Sequence, residues 1–132
     1  MTWNQDTDLP LAGRKVLIVE DQYLIADDLS ELVGDLGGDV IGPTSRVVSA
    51  LAAIRSEGPD LALLDVNLGE ELVYPVAAAL QAAGIPFLFT TGYDAAVIDP
   101  RFRDVPHLVK PILKGRLAQA VRELLSRAAE QD

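Results

Sequence analysis

The chain of 132 residues has no cysteine and a single histidine, His107. Disulfides and thiolate metal sites are therefore excluded, and one imidazole cannot build a histidine-based metal cluster. Aromatic residues make up only 5% of the chain against a hydrophobic share of 49%, so the core must be aliphatic, made of Leu, Val, Ile and Ala. Basic residues are also few: 11 Lys and Arg face 20 Asp and Glu, a net charge of −9. Nucleic-acid phosphates are met with Lys and Arg, so direct nucleic-acid binding is not expected. No apolar run approaches the roughly 20 residues that span a bilayer. The start, Met1-Thr2-Trp3-Asn4-Gln5-Asp6, is polar and acidic, unlike a signal peptide. A cytoplasmic protein without membrane attachment is expected. The length fits one domain with a real core.

Four apolar runs are present, and each ends on a polar residue that phosphoryl chemistry uses. Lys15-Val16-Leu17-Ile18-Val19 ends on Glu20-Asp21, and Leu61-Ala62-Leu63-Leu64 ends on Asp65. Phe87-Leu88-Phe89 ends on Thr90-Thr91-Gly92, and His107-Leu108-Val109 ends on Lys110-Pro111. Between them lie stretches with helical spacing. The first carries Leu24, Ile25, Leu29, Leu32, Val33 and Leu36, and stops at Gly37-Gly38. A short strand at Val40-Ile41 closes at Gly42-Pro43, after which Ser45 is a candidate cap for a helix carrying Val48, Leu51 and Ile54. A loop after Asp65 leads to a third helix with Pro75 in its first turn, a packing face of Val76, Ala79, Leu80 and Ala83, and a stop at Gly84. A last helix over 114–130 turns Leu117, Val121, Leu124, Leu125 and Ala128 inward.

The segment 92–106 should hold a fourth helix, yet Pro100 stands in its middle. Proline inside a helix costs about 3 kcal/mol, so only one turn over 95–98 or a loop is expected. Residues 1–13 read as an N-terminal extension, 14–128 as the domain, and 129–132 as its C-terminal end. Strands alternating with helices imply an α/β fold: a doubly wound, five-stranded parallel sheet joined by right-handed crossovers. At this size the leading order is 2-1-3-4-5, flavodoxin-like, with its switch point between strands 1 and 3. Those are the strands that end in Asp21 and Asp65.

Parallel strands bring their C-terminal ends to one edge, where such folds bind ligands. Three carboxylates gathered there repel one another unless a cation sits among them. Oxygen ligands alone favour Mg²⁺ over zinc. A carboxylate can attack phosphorus, and Lys110 is the lysine placed to neutralise the incoming charge. Thr91 offers a hydroxyl and Gly92 leaves backbone room, whereas strand alternation turns Thr90 to the opposite face. The Lys110-Pro111 bond is a candidate cis peptide. Each of these residues also has a bland reading, as a solvated strand end, a helix cap or a β-former. The ordered set is what argues for chemistry.

The set Glu20-Asp21, Asp65, Thr91-Gly92 and Lys110-Pro111 resembles the receiver (CheY-like) domain of two-component response regulators, over roughly residues 14–128. The resemblance implies that Asp65 accepts phosphate from a histidine kinase. It implies Mg²⁺ held by Asp21, Asp65 and the Asn67 carbonyl, with Glu20 acting through water. Thr91 and Lys110 would engage the phosphoryl group, and Asn67 and Tyr93 would tune dephosphorylation. A protein catalysing at most its own phosphorylation and dephosphorylation, monomeric or weakly dimeric, is expected. The family's aromatic switch position is His107 here. Phe89-Thr90-Thr91-Gly92-Tyr93 is similar to the Phe-Ala-Thr-Gly-Tyr signature of an alphaproteobacterial single-domain subgroup (FATGUY), with Thr90 replacing the alanine. That subgroup implies a loop-like fourth helix, an HWE-related kinase and, for some members, a part in the general stress response.

His107 lies on a strand and is expected to be half-exposed, a poor phosphohistidine donor and at most a pH-sensing residue. With the chain ending at Asp132, no output domain is expected, and the effect would come from docking on a downstream protein or from draining phosphate. A haloacid-dehalogenase-like phosphatase would need a second acid two residues after the nucleophile, where Asn67 stands. An FMN-binding flavodoxin-like module would need a hydroxyl- and glycine-rich phosphate loop, where Glu20-Asp21 would repel the phosphate.

Overall fold

The computed structural model describes residues 9–92 and 98–131. Five parallel strands form the sheet: β1 (Lys15–Val19), β2 (Asp39–Thr44), β3 (Leu61–Asp65), β6 (Phe87–Thr91) and β7 (His107–Val109). Their order is β2-β1-β3-β6-β7, which is the expected 2-1-3-4-5 once a small extra hairpin is set aside. That hairpin, β4 (Asn67–Leu68) and β5 (Glu71–Leu72), occupies the stretch expected to be a loop. Gly69, at φ +82°, makes its turn, in a conformation that side chains with a Cβ disfavour. The central strands β3 and β6 are buried along their whole length, as strands covered on both faces must be.

Helices α1 (Tyr23–Asp35) and α4 (Lys114–Gln131) cover one face, where Leu29, Val33, Leu117 and Val121 pack on Ile18, Leu63 and Leu88. On the other, α2 (Val47–Glu57) and α3 (Tyr74–Ala82) set Ala50, Ala53, Val76, Ala77 and Leu80 against Leu17, Leu64 and Phe89. Several expected helix faces shift. Leu24 is 77% exposed and Val48 66% exposed, while Ala83 is also outside the core. Alanines at 50, 53 and 77 make the contacts instead, because a small side chain lets the helix lie close on the sheet. Ser45 does not cap α2: the Val47 N–H donates to Glu71 Oε2 of the hairpin, 3.0 Å away.

Residues just ahead of β1 also pack on the sheet and helices. Leu11 is fully buried in the α1/α4 face, and its N–H donates to the Leu36 carbonyl, so residues 9–13 belong to the fold. At the other end α4 continues through 129–131. Between β6 and β7 the only helix among the described residues is a 3-10 turn, Pro100–Phe102. Pro100 starts it, where its missing N–H costs nothing, and the Asp99 carboxylate accepts the Arg101 N–H at 2.8 Å. Phe102 anchors the turn by stacking on Tyr74 at 5.5 Å and meeting Phe87 and Phe89 edge-on. Tyr74 Oη in turn accepts the Asp99 N–H at 2.9 Å. Tyr93, and all of the turn expected over 95–98 except Ile98, lie outside the described residues.

Candidate functional site

The register of the sheet explains why four distant residues meet. Ile18 pairs with Leu63, Leu63 with Leu88, and Thr90 with Leu108. All four hydrophobic residues, Ile18, Leu63, Leu88 and Leu108, pack on the α1/α4 face. Two residues further along each strand, on that same face, stand Glu20, Asp65, Thr90 and Lys110. The row crosses β1, β3, β6 and β7 at the C-terminal edge. Lys110 Nζ reaches back over it to Glu20 Oε1 at 2.8 Å and Asp65 Oδ2 at 3.3 Å. The lysine is largely enclosed, and its N–H donates to the Thr91 carbonyl at 2.7 Å. The Lys110-Pro111 bond is cis, and so is Gly42-Pro43, which the sequence reading did not single out.

Glu20 and Asp65 are buried and Asp21 is exposed, and one carboxylate oxygen from each lies within 4.8 Å of the others. Burial, followed by hydrogen bonding and repulsion from Glu20, pushes the Asp65 carboxyl up to about 7 despite Lys110. For Glu20 burial works in the same upward direction. The Asp65 hydrogen bond, Lys110 and the Gln22 N–H at 3.1 Å outweigh it, so Glu20 is held below the usual carboxylate range. Each carboxylate thus disfavours charge on the other, and burial sharpens the effect at Asp65. This is the condition of an acidic site built for a cation. The donor set is all oxygen, with no histidine or cysteine beside it, and it fits Mg²⁺.

The hairpin borders the site, with Asn67, Gly69 and Leu72 lining the cleft. The Asn67 N–H donates to Asp65 Oδ1 at 3.3 Å, and its side chain accepts the Gly69 N–H at 3.1 Å. A Cβ on Gly69 would stand 3.4 Å from Asp21 Oδ2. Asp21, Asp65, Asn67, Thr91, Gly92 and Lys110 line one cleft of about 1050 Å³. Thr91 is buried, and its hydroxyl has no hydrogen-bond partner. Such a group is costly to leave alone and suits a ligand oxygen. His107, expected to be half-exposed, is exposed, because β7 is the edge strand and the residue pairs outward of Phe89. Sequence reasoning missed Glu71 as the helix cap, Tyr74 at the cleft edge and the unpaired hydroxyl of Thr90. Only the hairpin had a readable signal, the glycine at 69 between Asn67-Leu68 and Glu70-Glu71.

A doubly wound sheet with a lysine-clamped acidic cluster at its switch point is the arrangement of the receiver domains that the sequence resembles. No family model matches the chain. The solution structure of SdrG from Sphingomonas melonis Fr1 is 44% identical, with a TM-score of 0.78, covering 87% of this chain and 97% of that one. The signal receiver domain of a modulated diguanylate cyclase from Desulfovibrio desulfuricans G20 is 29% identical, with a TM-score of 0.80, covering 90% and 98%. The transcriptional regulatory protein LytR of Staphylococcus aureus is 28% identical over 122 residues, 89% of this chain and 50% of that protein. The chain thus spans about half the length of that curated relative. The chain belongs to the response regulator receiver domain family.

Proposed function

We propose that Asp65 accepts a phosphoryl group from a histidine kinase in a two-component phosphorelay. The observation that carries this reading is the contact of Lys110 Nζ with both Asp65 and Glu20 inside one acidic cluster. Asp21, Asp65 and the Asn67 carbonyl would hold Mg²⁺, with Glu20 acting through water. Bound there, the cation supplies charge neutralisation for the incoming phosphoryl oxygens. One Asp65 carboxylate oxygen bonds to phosphorus as the phosphorus–nitrogen bond of a phosphohistidine breaks. Lys110 then turns to the phosphoryl oxygens, and the Thr91 hydroxyl, unpaired in the resting protein, donates to one of them. Asn67 and Tyr93 tune the return reaction. A BeF₃-activated conformation is described for SdrG, and that probe suits this site too.

The finer placement rests on Phe89-Thr90-Thr91-Gly92-Tyr93, the short 3-10 turn after it, and the likeness to SdrG. These support membership of the FATGUY subgroup, an HWE-related kinase as donor, and a role in an alphaproteobacterial stress response. The protein acts in the cytoplasm as a monomer or weak dimer. It catalyses only its own phosphorylation and dephosphorylation, and its output is docking on a downstream protein or drainage of phosphate. Acetyl phosphate labelling with and without Mg²⁺ tests the core of this reading. Label should appear with Mg²⁺ on the wild type and vanish in Asp65→Asn. Label that persists in the variant would remove Asp65 from its role, and rapid turnover of a phosphate monoester would favour the phosphatase.

A further inference from the structure

In the row that crosses the strand ends, three members are engaged and one is not. Glu20 and Asp65 share Lys110, whereas Thr90 Oγ1 is buried without any hydrogen-bond partner. Thr90 is fully enclosed and pairs directly with Asp65 on the adjacent strand. Neighbouring strands lie about 4.8 Å apart, a gap that a hydroxyl on one and a carboxyl on the other can bridge by rotation about χ1. Lys110, from the far side of β6, must pass over Thr90 to reach Asp65 Oδ2. In the resting protein the ammonium is the side-chain donor that Asp65 Oδ2 meets, and the Thr90 hydroxyl makes no hydrogen bond. An alanine at this position, as in the Phe-Ala-Thr-Gly-Tyr pattern, would carry no hydroxyl.

We propose that Thr90 is a positioning residue whose hydroxyl donates to the Asp65 carboxyl once Lys110 has turned away to the phosphoryl group. This rests on the phosphoacceptor reading of Asp65. The unpaired hydroxyl is then a cost of the resting state, recovered in the phosphorylated state. It holds the acyl group steady while Lys110 is engaged above it.

The test compares wild type, Thr90→Val and Thr90→Ser, each with and without Mg²⁺ and beryllium trifluoride. Valine keeps the shape and removes the hydroxyl, so the ligand-free protein should melt about 3 °C higher. The same substitution should weaken beryllium trifluoride binding about tenfold and shrink the rise in Tm that the ligand produces. Serine should restore wild-type affinity. A valine variant that is stabilised equally in both states, with unchanged affinity, overturns the proposal. So does a serine variant as weak as valine. Wild-type protein that fails to bind beryllium trifluoride would instead overturn the phosphoacceptor reading on which the proposal stands.

Discussion

Acidification should weaken Mg²⁺ binding far more steeply than ordinary carboxylates would allow. Mg²⁺ needs Asp65 ionised, but burial and the neighbouring Glu20 push its carboxyl up to about 7. About half of Asp65 is then ionised at pH 7 and about 1% at pH 5, so affinity should fall about 50-fold across that interval. A carboxyl at the usual value near 3.9 would lose only about a tenth of its ionised form by pH 5. Calorimetry in two buffers of different ionisation enthalpy reads both the affinity and the protons released. Release should rise from about half a proton at pH 7 to about one near pH 5, and Asp65→Asn should abolish it. Affinity that changes less than about twofold, with no proton released, would refute the raised Asp65 carboxyl. The metal-free protein should show the matching stability trend. Asp65, raised in the fold, contributes stability that is complete below about pH 4 and is lost as pH rises toward 7. Glu20, lowered in the fold, contributes the reverse: present above its unfolded value near 4.5 and lost as pH falls further.

Replacing Lys110 with Met removes the cation that faces Glu20 and Asp65, and should cost the metal-free protein about 3 kcal/mol at pH 8 in urea unfolding. Part of that loss should return at pH 5, where Asp65 is protonated; equal losses at both pH values would contradict the pairing. Phe102→Ala should cost about 3–5 kcal/mol, because the ring is buried against Tyr74, Phe87 and Phe89. A loss below about 1 kcal/mol would mean that the 3-10 turn is not anchored as described. Leu11→Ala should cost about 2–5 kcal/mol in thermal or chemical unfolding, and an unchanged Tm would return residues 9–13 to the status of an extension.

Much of the sheet was legible because strands buried on both faces read as unbroken apolar runs. The residues just past Val19, Leu64, Phe89 and Val109 then fall at one edge through topology alone. Helix faces were less legible where alanine does the packing. Periodicity counted Val48 and passed over Ala50 and Ala53, since a leucine-weighted pattern cannot tell a close helix–sheet contact from a distant one. The α2 cap escaped for a related reason: Glu71 is 24 residues away from Val47, and local capping rules look only at neighbours.

By itself the sequence determined the order of the strands and the chemical type of residue at each strand end. Those follow from local periodicity and from the few ways a parallel sheet can be wound. The tertiary structure alone decided how the residues at the site share charge. Lys110 spans from the edge strand across β6 to Asp65 and Glu20, burial beside Glu20 raises the Asp65 carboxyl, and Thr90 beneath is left unpaired. The reason is physical: proton affinity and hydrogen bonding depend on distances of a few ångströms and on exclusion of water. Both come into being only when strands far apart in the chain lie side by side.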